Sequence, residues 1–597
     1  FIDCEYPMIA TARLSGMMLD YPKLLDKGIG GLRSDLQEKL KEQPDNNFYK
    51  AGIQCLDIFV DCASHLQQDA REQMASANMK RQKELERICQ ALENIKEKKP
   101  GTFHEAMQLF WLFALLAGVI NYGRLDDYLG PYLVADLESG RLTDEEAYRY
   151  IHSLWTMIEN RRTTVNGRII VGGKGRKHPK EADVFLHIAM KVAKNCRYVE
   201  PQFTLRFDKD TSEEIWDEAL DALGAGATYP TLYNDDVNVP AVMYGMRVDE
   251  KAAEQYVPFG CTEFVIQGQS TGTPNICINL LKLLTIYMND GIDPIDGKRK
   301  SGPVPLKKLE EYQTFEEFYD GYKALLDYYL DLSVKAQYHS YEVMNQHVSF
   351  LFTSLLTDDC IARGKALLDG GVWVIRDLVF NQKKYTLRQL NDAMLANFNG
   401  YEALRKDCLN CDKYGNDLET ADTMANDLYE FVAKGVRDRG IAIGMQYFLI
   451  VISNNQLNTE WGNRTAASPD GRLSCMYMNP ANNPQGGANK SGPTAMLNSL
   501  AKFDAKYHGG SVQNIKFSPS MFNENRAVIK SLFKTYFAKG GCHLMVTVVD
   551  KGVLEDAVEH PENHPDLIVR VSGFSAVFVD LSPNIQQELL SRVLYDE

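Results

Sequence analysis

Two side chains in the middle of the chain and one bare backbone position near its end carry residue types from which a reaction centre could be built. The segment Pro258-Phe259-Gly260-Cys261-Thr262-Glu263-Phe264 sets a thiol and a carboxylate two residues apart. In an extended segment such positions point to one side, so Cys261 and Glu263 are expected to face one cavity. A thiol there offers a hydrogen atom, and a carboxylate offers acid–base work. Each has a blander reading when taken alone: a small buried hydrophobe for Cys261 and a solvated carboxylate for Glu263. Gly573 stands in Asp566-Leu-Ile-Val-Arg570-Val571-Ser572-Gly573-Phe574-Ser575. Alone it reads as a tight turn between strands, with glycine supplying φ > 0.

Other motifs lead nowhere. Cys408-Leu-Asn-Cys411 is a single C-x-x-C with no second pair at zinc spacing, so it reads as two thiols on a loop and no metal site is expected. None of the histidines forms H-E-x-x-H. The run Val171-Gly-Gly-Lys-Gly-Arg176 lacks G-K-[ST] and reads as a turn with a solvated basic tip.

Taken together, the two loops are informative. The Gly573 segment resembles the radical loop of the glycyl radical enzymes, D-L-x-V-R-V-x-G-[FY]-S, and the Cys261 segment resembles the G-C-x-E cysteine loop of the same family. They are 312 positions apart, close to the family spacing. Pro100-Gly-Thr-Phe-His104, Gly123-Arg124-Leu125-Asp126, Leu232-Tyr233-Asn234-Asp235, Ser468-Pro469-Asp470-Gly471-Arg472 and Ser491-Gly492-Pro493-Thr494-Ala495 fall in the family order. The resemblance runs from about residue 50 to the end. Its chemistry explains the glycine. Removing one α-hydrogen leaves a planar radical between a donor amide nitrogen and an acceptor carbonyl, and any Cβ would crowd it. A nearby thiol then relays the radical to substrate.

The resemblance implies an α/β fold: a ten-stranded β/α barrel with the Cys and Gly loops meeting at its centre. Residues 1–465 are expected to form a pyruvate formate-lyase-like barrel domain and 466–597 a C-terminal glycyl radical domain. Gly573 would store the radical, Cys261 would become the thiyl and Glu263 the base, its pKa raised by burial. No bound cofactor is implied. The partners implied are a separate activase with S-adenosylmethionine and an iron–sulfur cluster, a small-molecule substrate and a second copy in a homodimer. Family members carry roughly 150 further N-terminal residues, a length comparison only, and a longer Gly-rich loop after Gly370-Gly371.

Thr262 narrows the type. Pyruvate formate-lyases carry two adjacent cysteines, so acyl transfer is disfavoured here, and G-C-x-E resembles the dehydratases and related lyases. Phe264 replaces the Pro of several polyol and choline lyases, which weakens transfer of their substrates. A dehydratase is the leading expectation. Radical decarboxylation, C–N cleavage and a catalytically silent scaffold are the alternatives. Asn121, Tyr122, Arg168, Arg206 and Asn234 are candidate substrate contacts, Arg168 through a planar fork for an anion.

The elements that must position these residues are partly legible. Thr143-Asp-Glu-Glu146 is a capping box ahead of an amphipathic stripe. Thr211-Ser-Glu-Glu214, Thr314-Phe-Glu-Glu317 and Thr386-Leu-Arg-Gln389 predict three more helix starts. Gln202–Phe207, Leu544–Val549 and Val569–Val571 read as strands. Phe110–Ile120 is too short to span a bilayer and reads as a buried helix. Lys298–Pro305 reads as a surface insertion. A net charge of −15 and pI ≈ 5.4 disfavour nucleic acid and anionic membrane as partners. Twelve cysteines in 597 residues without a visible secretory leader suggest reduced thiols and a cytoplasmic setting.

Overall fold

Strand by strand, side chains alternate between a helical outer layer and a polar interior, and this period of two builds the molecule. The structure, a computed structural model, describes residues 6–10, 18–162, 167–269, 274–347, 363–367, 374–452 and 457–596. Fifteen strands occur among them. They are β1 (Met8–Ala10), β2 (Asn121–Arg124), β3 (Arg168–Gly172), β4 (Gln202–Phe207), β5 (Thr231–Asn234), β6 (Tyr256–Phe259), β7 (Glu263–Ile266), β8 (Pro274–Asn279), β9 (Arg363–Leu367), β10 (Ile450–Ile452), β11 (His508–Ser511), β12 (Asn514–Phe517), β13 (His543–Val548), β14 (Ile568–Arg570) and β15 (Ser575–Val577).

One sheet runs in the order β12-β13-β5-β4-β3-β2 and the other β1-β8-β9-β10-β11. Strands β2 to β5 are parallel, as are β8 to β11 and the pair β12–β13. The join β5–β13 is antiparallel, and β1 lies antiparallel on the edge of β8. Leaving β1 aside, these are the ten strands of the β/α barrel. Strands β11, β12 and β13 lie beyond residue 465, so the C-terminal part of the chain completes both sheets.

On β2 to β5, β12 and β13 the residues Tyr122, Ile169, Phe203, Leu205, Leu232, Ile515, Leu544 and Val546 join one outer core with the helices. The alternate positions, among them Asn121, Arg168, Gln202, Thr204, Tyr233, Asn514 and His543, are polar and buried. A barrel interior carrying so many polar groups costs desolvation unless they bond one another or a ligand. Helices Phe103–Leu116, Asp144–Asn160, Pro179–Asn195 and Glu213–Gly224 cover this half, and a second core packs helices Leu280–Met288 and Glu419–Ala442 on the other.

Most helix starts are where the sequence puts them. Thr143 and Thr386 close reciprocal capping boxes, and Thr314 Oγ1 accepts from Glu317 N at 3.2 Å. One start shifts by a residue: Ser212 caps helix Glu213–Gly224, because Thr211 Oγ1 is engaged with Asp208. The apolar Phe103 helix ends at Leu116, short of Ile120. Cys408 lies in the last turn of helix Glu402–Asn410, not on a loop. The Val171–Arg176 loop is not a solvated tip, since Lys174 pairs with Asp236 at 2.6 Å; within Lys298–Pro305, which is exposed at Lys298, Arg299, Gly302, Pro303 and Pro305, Lys300 is buried against Asp293 at 2.7 Å. Gly370-Gly371 lies outside the described residues. No described helix is long and apolar enough to cross a membrane.

Candidate active site

The β6–β7 hairpin reaches against β2, β3 and β11, and every residue from Tyr256 to Ile266 is buried. Phe259 pairs with Glu263, which leaves Gly260-Cys261-Thr262 as a three-residue tip. The segment is thus a turn, and the extended relation expected between Cys261 and Glu263 does not hold. Gly260 takes φ +53°, and the Glu263 carboxylate folds back over it: a Cβ at 260 would lie 2.6 Å from Oε2. Glu263 Oε2 accepts from Thr262 N at 3.0 Å. A Cβ on Gly510 of β11 would overlap the Thr262 carbonyl, so the tip is framed from that side too.

The second loop is the tip of the β14–β15 hairpin, where Arg570 pairs with Ser575. Val571 N donates to Phe574 O at 2.9 Å and closes the turn. Gly573 takes φ +90°, and a Cβ there would lie 2.5 Å from Cys261 Cβ and 2.7 Å from Cys261 Cα. The two loops are therefore in direct contact, and only glycine at 573 permits it. Cys261 sits among Ala481, Val512 and Met545, a small dry patch. Ser572, Thr262 and Cys261 are fully buried.

Polar groups surround that patch. Arg168 Nη1 donates to Thr204 Oγ1 at 2.9 Å, and its Nη2 donates to Gln202 Oε1 at 2.6 Å and to Gly260 O at 2.7 Å. Tyr233 and His543 are register partners on β5 and β13 with rings 4.5 Å apart. Burial, with Arg570 and Arg168 nearby, holds the His543 imidazole well below its usual pKa and so neutral. Burial likewise keeps the Tyr233 phenol protonated. Asn121 Oδ1 and Nδ2, Tyr233 OH, Thr262 Oγ1, Ser511 Oγ, Gln513 Oε1 and His543 Nε2 are buried with no hydrogen-bond partner among the described residues. Buried groups of this kind require a ligand or ordered water.

The Pyruvate formate lyase-like family model matches residues 6–456, and the Glycine radical model matches residues 478–579. The chain belongs to the pyruvate formate lyase-like family. The second match marks this glycyl radical enzyme as one whose radical is formed after translation. Trans-4-hydroxy-L-proline dehydratase of Clostridioides difficile is 27% identical over 622 residues, covering 95% of this chain and 78% of that protein. The (2S)-3-sulfopropanediol dehydratase of Klebsiella oxytoca is 26% identical and covers 96% and 76%. Isethionate sulfite-lyase of Bilophila wadsworthia is 25% identical and covers 97% and 76%. The glycerol-bound B12-independent glycerol dehydratase from Clostridium butyricum superposes with a TM-score of 0.90 at 24% identity, covering 98% of this chain and 80% of that one, a likeness of fold.

Of the five residues predicted to touch substrate in this glycyl radical enzyme, two have unpartnered buried polar atoms among the described residues: Asn121, at both side-chain amide atoms, and Arg168, at Nε alone. Tyr122, next along β2, points the other way into the outer core, and its hydroxyl accepts from Arg161 at 2.9 Å. Arg168 spends Nη1 and Nη2 on Thr204, Gln202 and the Gly260 carbonyl, and so holds the Cys loop. Arg206 is locked against Asp235 at 2.7 Å and donates to the Tyr256 carbonyl at 2.8 Å. Asn234 caps helix Asp235–Met246 and donates to Phe537 O and Gly541 O. Sequence reading missed Tyr233, Ser511, Gln513 and His543. The signal for His543 was available: in His543-Leu-Met-Val-Thr547 the polar and sulfur side chains fall on the face opposite Leu544 and Val546. Among the described residues, His187, Glu214 and Glu218 bring ligand atoms within 4.8 Å of one another, but they sit on the outer helices, where His187 Nδ1 already lies 2.9 Å from Glu218.

Proposed function

We propose that the chain is a glycyl radical lyase that eliminates water from a small hydroxylated molecule, with Gly573 as radical store, Cys261 as thiyl and Glu263 as base. The observation that carries the reading is the contact of the two loops, which suits hydrogen transfer between Gly573 Cα and Cys261 Sγ without an intermediary.

Each step balances. A separate activase, of the iron–sulfur and S-adenosylmethionine kind, removes one α-hydrogen from Gly573. The Gly573 radical takes the hydrogen atom of the Cys261 thiol, so a C–H bond forms as an S–H bond breaks. The thiyl takes a hydrogen atom from a substrate carbon that bears a hydroxyl. Glu263 removes that hydroxyl's proton, and the ketyl-type radical anion expels the neighbouring hydroxyl. The expelled oxygen recovers the proton held by Glu263 and leaves as water. The product radical regains hydrogen from Cys261, and Cys261 regains its own from Gly573. Asn121, Tyr233, Ser511, Gln513, His543 and Thr262 offer neutral donors and acceptors that suit substrate hydroxyls.

Residues 1–465 would supply most of the barrel, and 466–597 the radical loop together with β11 to β13. A homodimer in the cytoplasm belongs to the same proposal; no disulfide joins the ten described cysteines, in keeping with a reducing setting. The deciding experiment is anaerobic activation followed by electron paramagnetic resonance and product analysis on vicinal diols and hydroxylated amino acids. An α-proton doublet that Gly573→Ala abolishes, with aldehyde or imine formed alongside water, is expected. Release of CO2, ammonia or sulfite instead would sink the dehydratase reading, and a signal surviving in Gly573→Ala would sink the radical assignment.

A further inference from the structure

Arg570 is the last residue of β14 and is 2% exposed. Among the described residues no carboxylate forms an ion pair with it. A buried guanidinium in that position is costly, and something must repay its desolvation. Its partners are unusual for a structural arginine. Nη2 donates to the carbonyl oxygen of Gly573 at 3.0 Å, Nη1 to Ser575 Oγ at 3.2 Å, and Nε points at Met545 Sδ at 3.0 Å. The Tyr229 ring lies 5.1 Å from the guanidinium carbon, a cation–π distance.

The loop does not need this side chain for its shape. The three β14–β15 pairs, the Val571 N–H to Phe574 O bond and the 2.8 Å contact of Thr228 Oγ1 with Ser575 Oγ already close it. What Arg570 adds is a full positive charge, in a buried setting, bonded to the carbonyl of the glycine that touches Cys261. A radical on Gly573 Cα is shared with that carbonyl oxygen. A cationic donor on the oxygen draws spin and negative charge towards it and lowers the energy of the radical. Charge-assisted bonds of this type are about twice as strong as neutral ones.

We propose that Arg570 is a positioning residue that tunes the stored radical through its bond to the Gly573 carbonyl. The inference rests on the reading that Gly573 stores the radical. The affected step is the transfer Gly573 radical plus Cys261 thiol to Gly573 C–H plus Cys261 thiyl. One hydrogen atom moves, one C–H bond forms and one S–H bond breaks, with no outside oxidant. Arg570 stabilises the left side of this equilibrium, so the enzyme rests as a glycyl radical and lends the hole to Cys261 only when substrate draws it away.

The test uses the activated full chain labelled with 15N in its arginine guanidinium groups. Electron–nuclear double resonance on the wild type is expected to show one exchangeable proton and one guanidinium nitrogen coupled to the glycyl radical, both lost in Arg570→Gln. In that variant the α-proton splitting widens, because spin returns to Cα, and the signal decays about 10-fold faster under anaerobic thiol, the scale of one lost hydrogen bond to a charged group. Arg570→Lys, which restores a cation, recovers most of the lifetime; a purely structural role would leave the splitting unmoved. A wild-type glycyl signal with no nitrogen coupling overturns the proposal by itself, even where Arg570→Gln cannot be activated. So does an activated Arg570→Gln with unchanged splitting and decay. Absence of any glycyl doublet in the wild type overturns instead the reading beneath it, and this proposal with it.

Discussion

The two hairpins that meet at the site are built to different standards. The Cys261 hairpin is woven into the barrel: it is buried from Tyr256 to Ile266, Arg168 grips its Gly260 carbonyl, and Gly510 presses on Thr262. The Gly573 hairpin belongs to a small core of its own, with Val549, Leu554, Val569, Phe574, Phe578 and Leu589. Its outer strand is half-buried at Ala576 and Val577. A cavity of ≈ 50 Å³ lies beside it, lined by Lys516, Thr547, Val569, Arg570 and Arg592. The segment that follows it is bound to β12, through Ser518 N to Tyr595 O at 2.9 Å and Tyr595 N to Lys516 O at 3.0 Å. One partner of the proposed hydrogen transfer is thus fixed and the other is docked. Docking suits the proposed chemistry, because an activase must reach Gly573 while nothing outside need touch Cys261.

The largest effect that would break this comparison is catalytic. Cys261→Ser is expected to keep the glycyl signal while turnover falls by at least about 10⁴-fold, since a hydroxyl is a poor hydrogen relay. Appreciable product formation in that variant, followed by chromatography, would remove the fixed partner from the mechanism. Glu263→Gln should also retain the radical and lose roughly 10²–10⁴ in turnover, the usual worth of a positioned base.

Stability sharpens the contrast. Gly510→Ala forces a Cβ into the backbone of the fixed hairpin and is expected to cost about 2–4 kcal/mol in denaturant melts. Gly573→Ala meets Cys261 just as closely, but a docked hairpin can shift, so about 1–3 kcal/mol is expected. The reverse ranking would refute the distinction. Hydrogen exchange gives the same test without mutation: the amides of Val569 and Val571 should exchange at least about tenfold faster than those of Val257 and Val265.

The smallest effect is on pH. Burial, with Arg592 beside it, pushes the Lys516 ammonium down to about 8, and its Nζ donates to Leu589 O at 3.1 Å. Below pH 8 the lysine is charged both folded and unfolded, so the cost of burying that charge is borne in full. Between about 8 and 10.4 only the unfolded form holds the proton, so this group's contribution to stability rises with pH there. Lys516→Met should flatten that rise and remove no more than about 3 kcal/mol of destabilisation at pH 7. A variant with unchanged pH dependence of melting would show that Lys516 does not strain the dock.

Much of the site was legible before any coordinates, because two loop motifs fix its chemistry, and capping boxes such as that of Thr143 mark helices by purely local bonds. The barrel's closure was not legible. The β5–β13 join links Tyr233 to His543 across some three hundred positions, and no local pattern encodes it. Tyr122 was misread because a four-residue strand does not reveal which parity faces inward. Arg206 and Asn234 were misread because, besides the neighbouring Asp235 and the Asp236 amide, their partners are backbone carbonyls contributed by distant segments.

The alternation of the barrel strands separates two jobs that most folds entangle. On β5, Leu232 answers to the outer helices, while Tyr233 faces inward and packs with Tyr256, Phe264 and Leu449; on β13, Leu544 joins the outer core and His543 faces inward against the Tyr233 ring. Selection, or a laboratory library, can therefore rewrite Asn121, Ser511 and Gln513 with little disturbance to the outer packing, whereas Tyr233 and His543 also carry interior contacts. On the proposed reading, substrate preference becomes an adjustable setting on a constant radical engine.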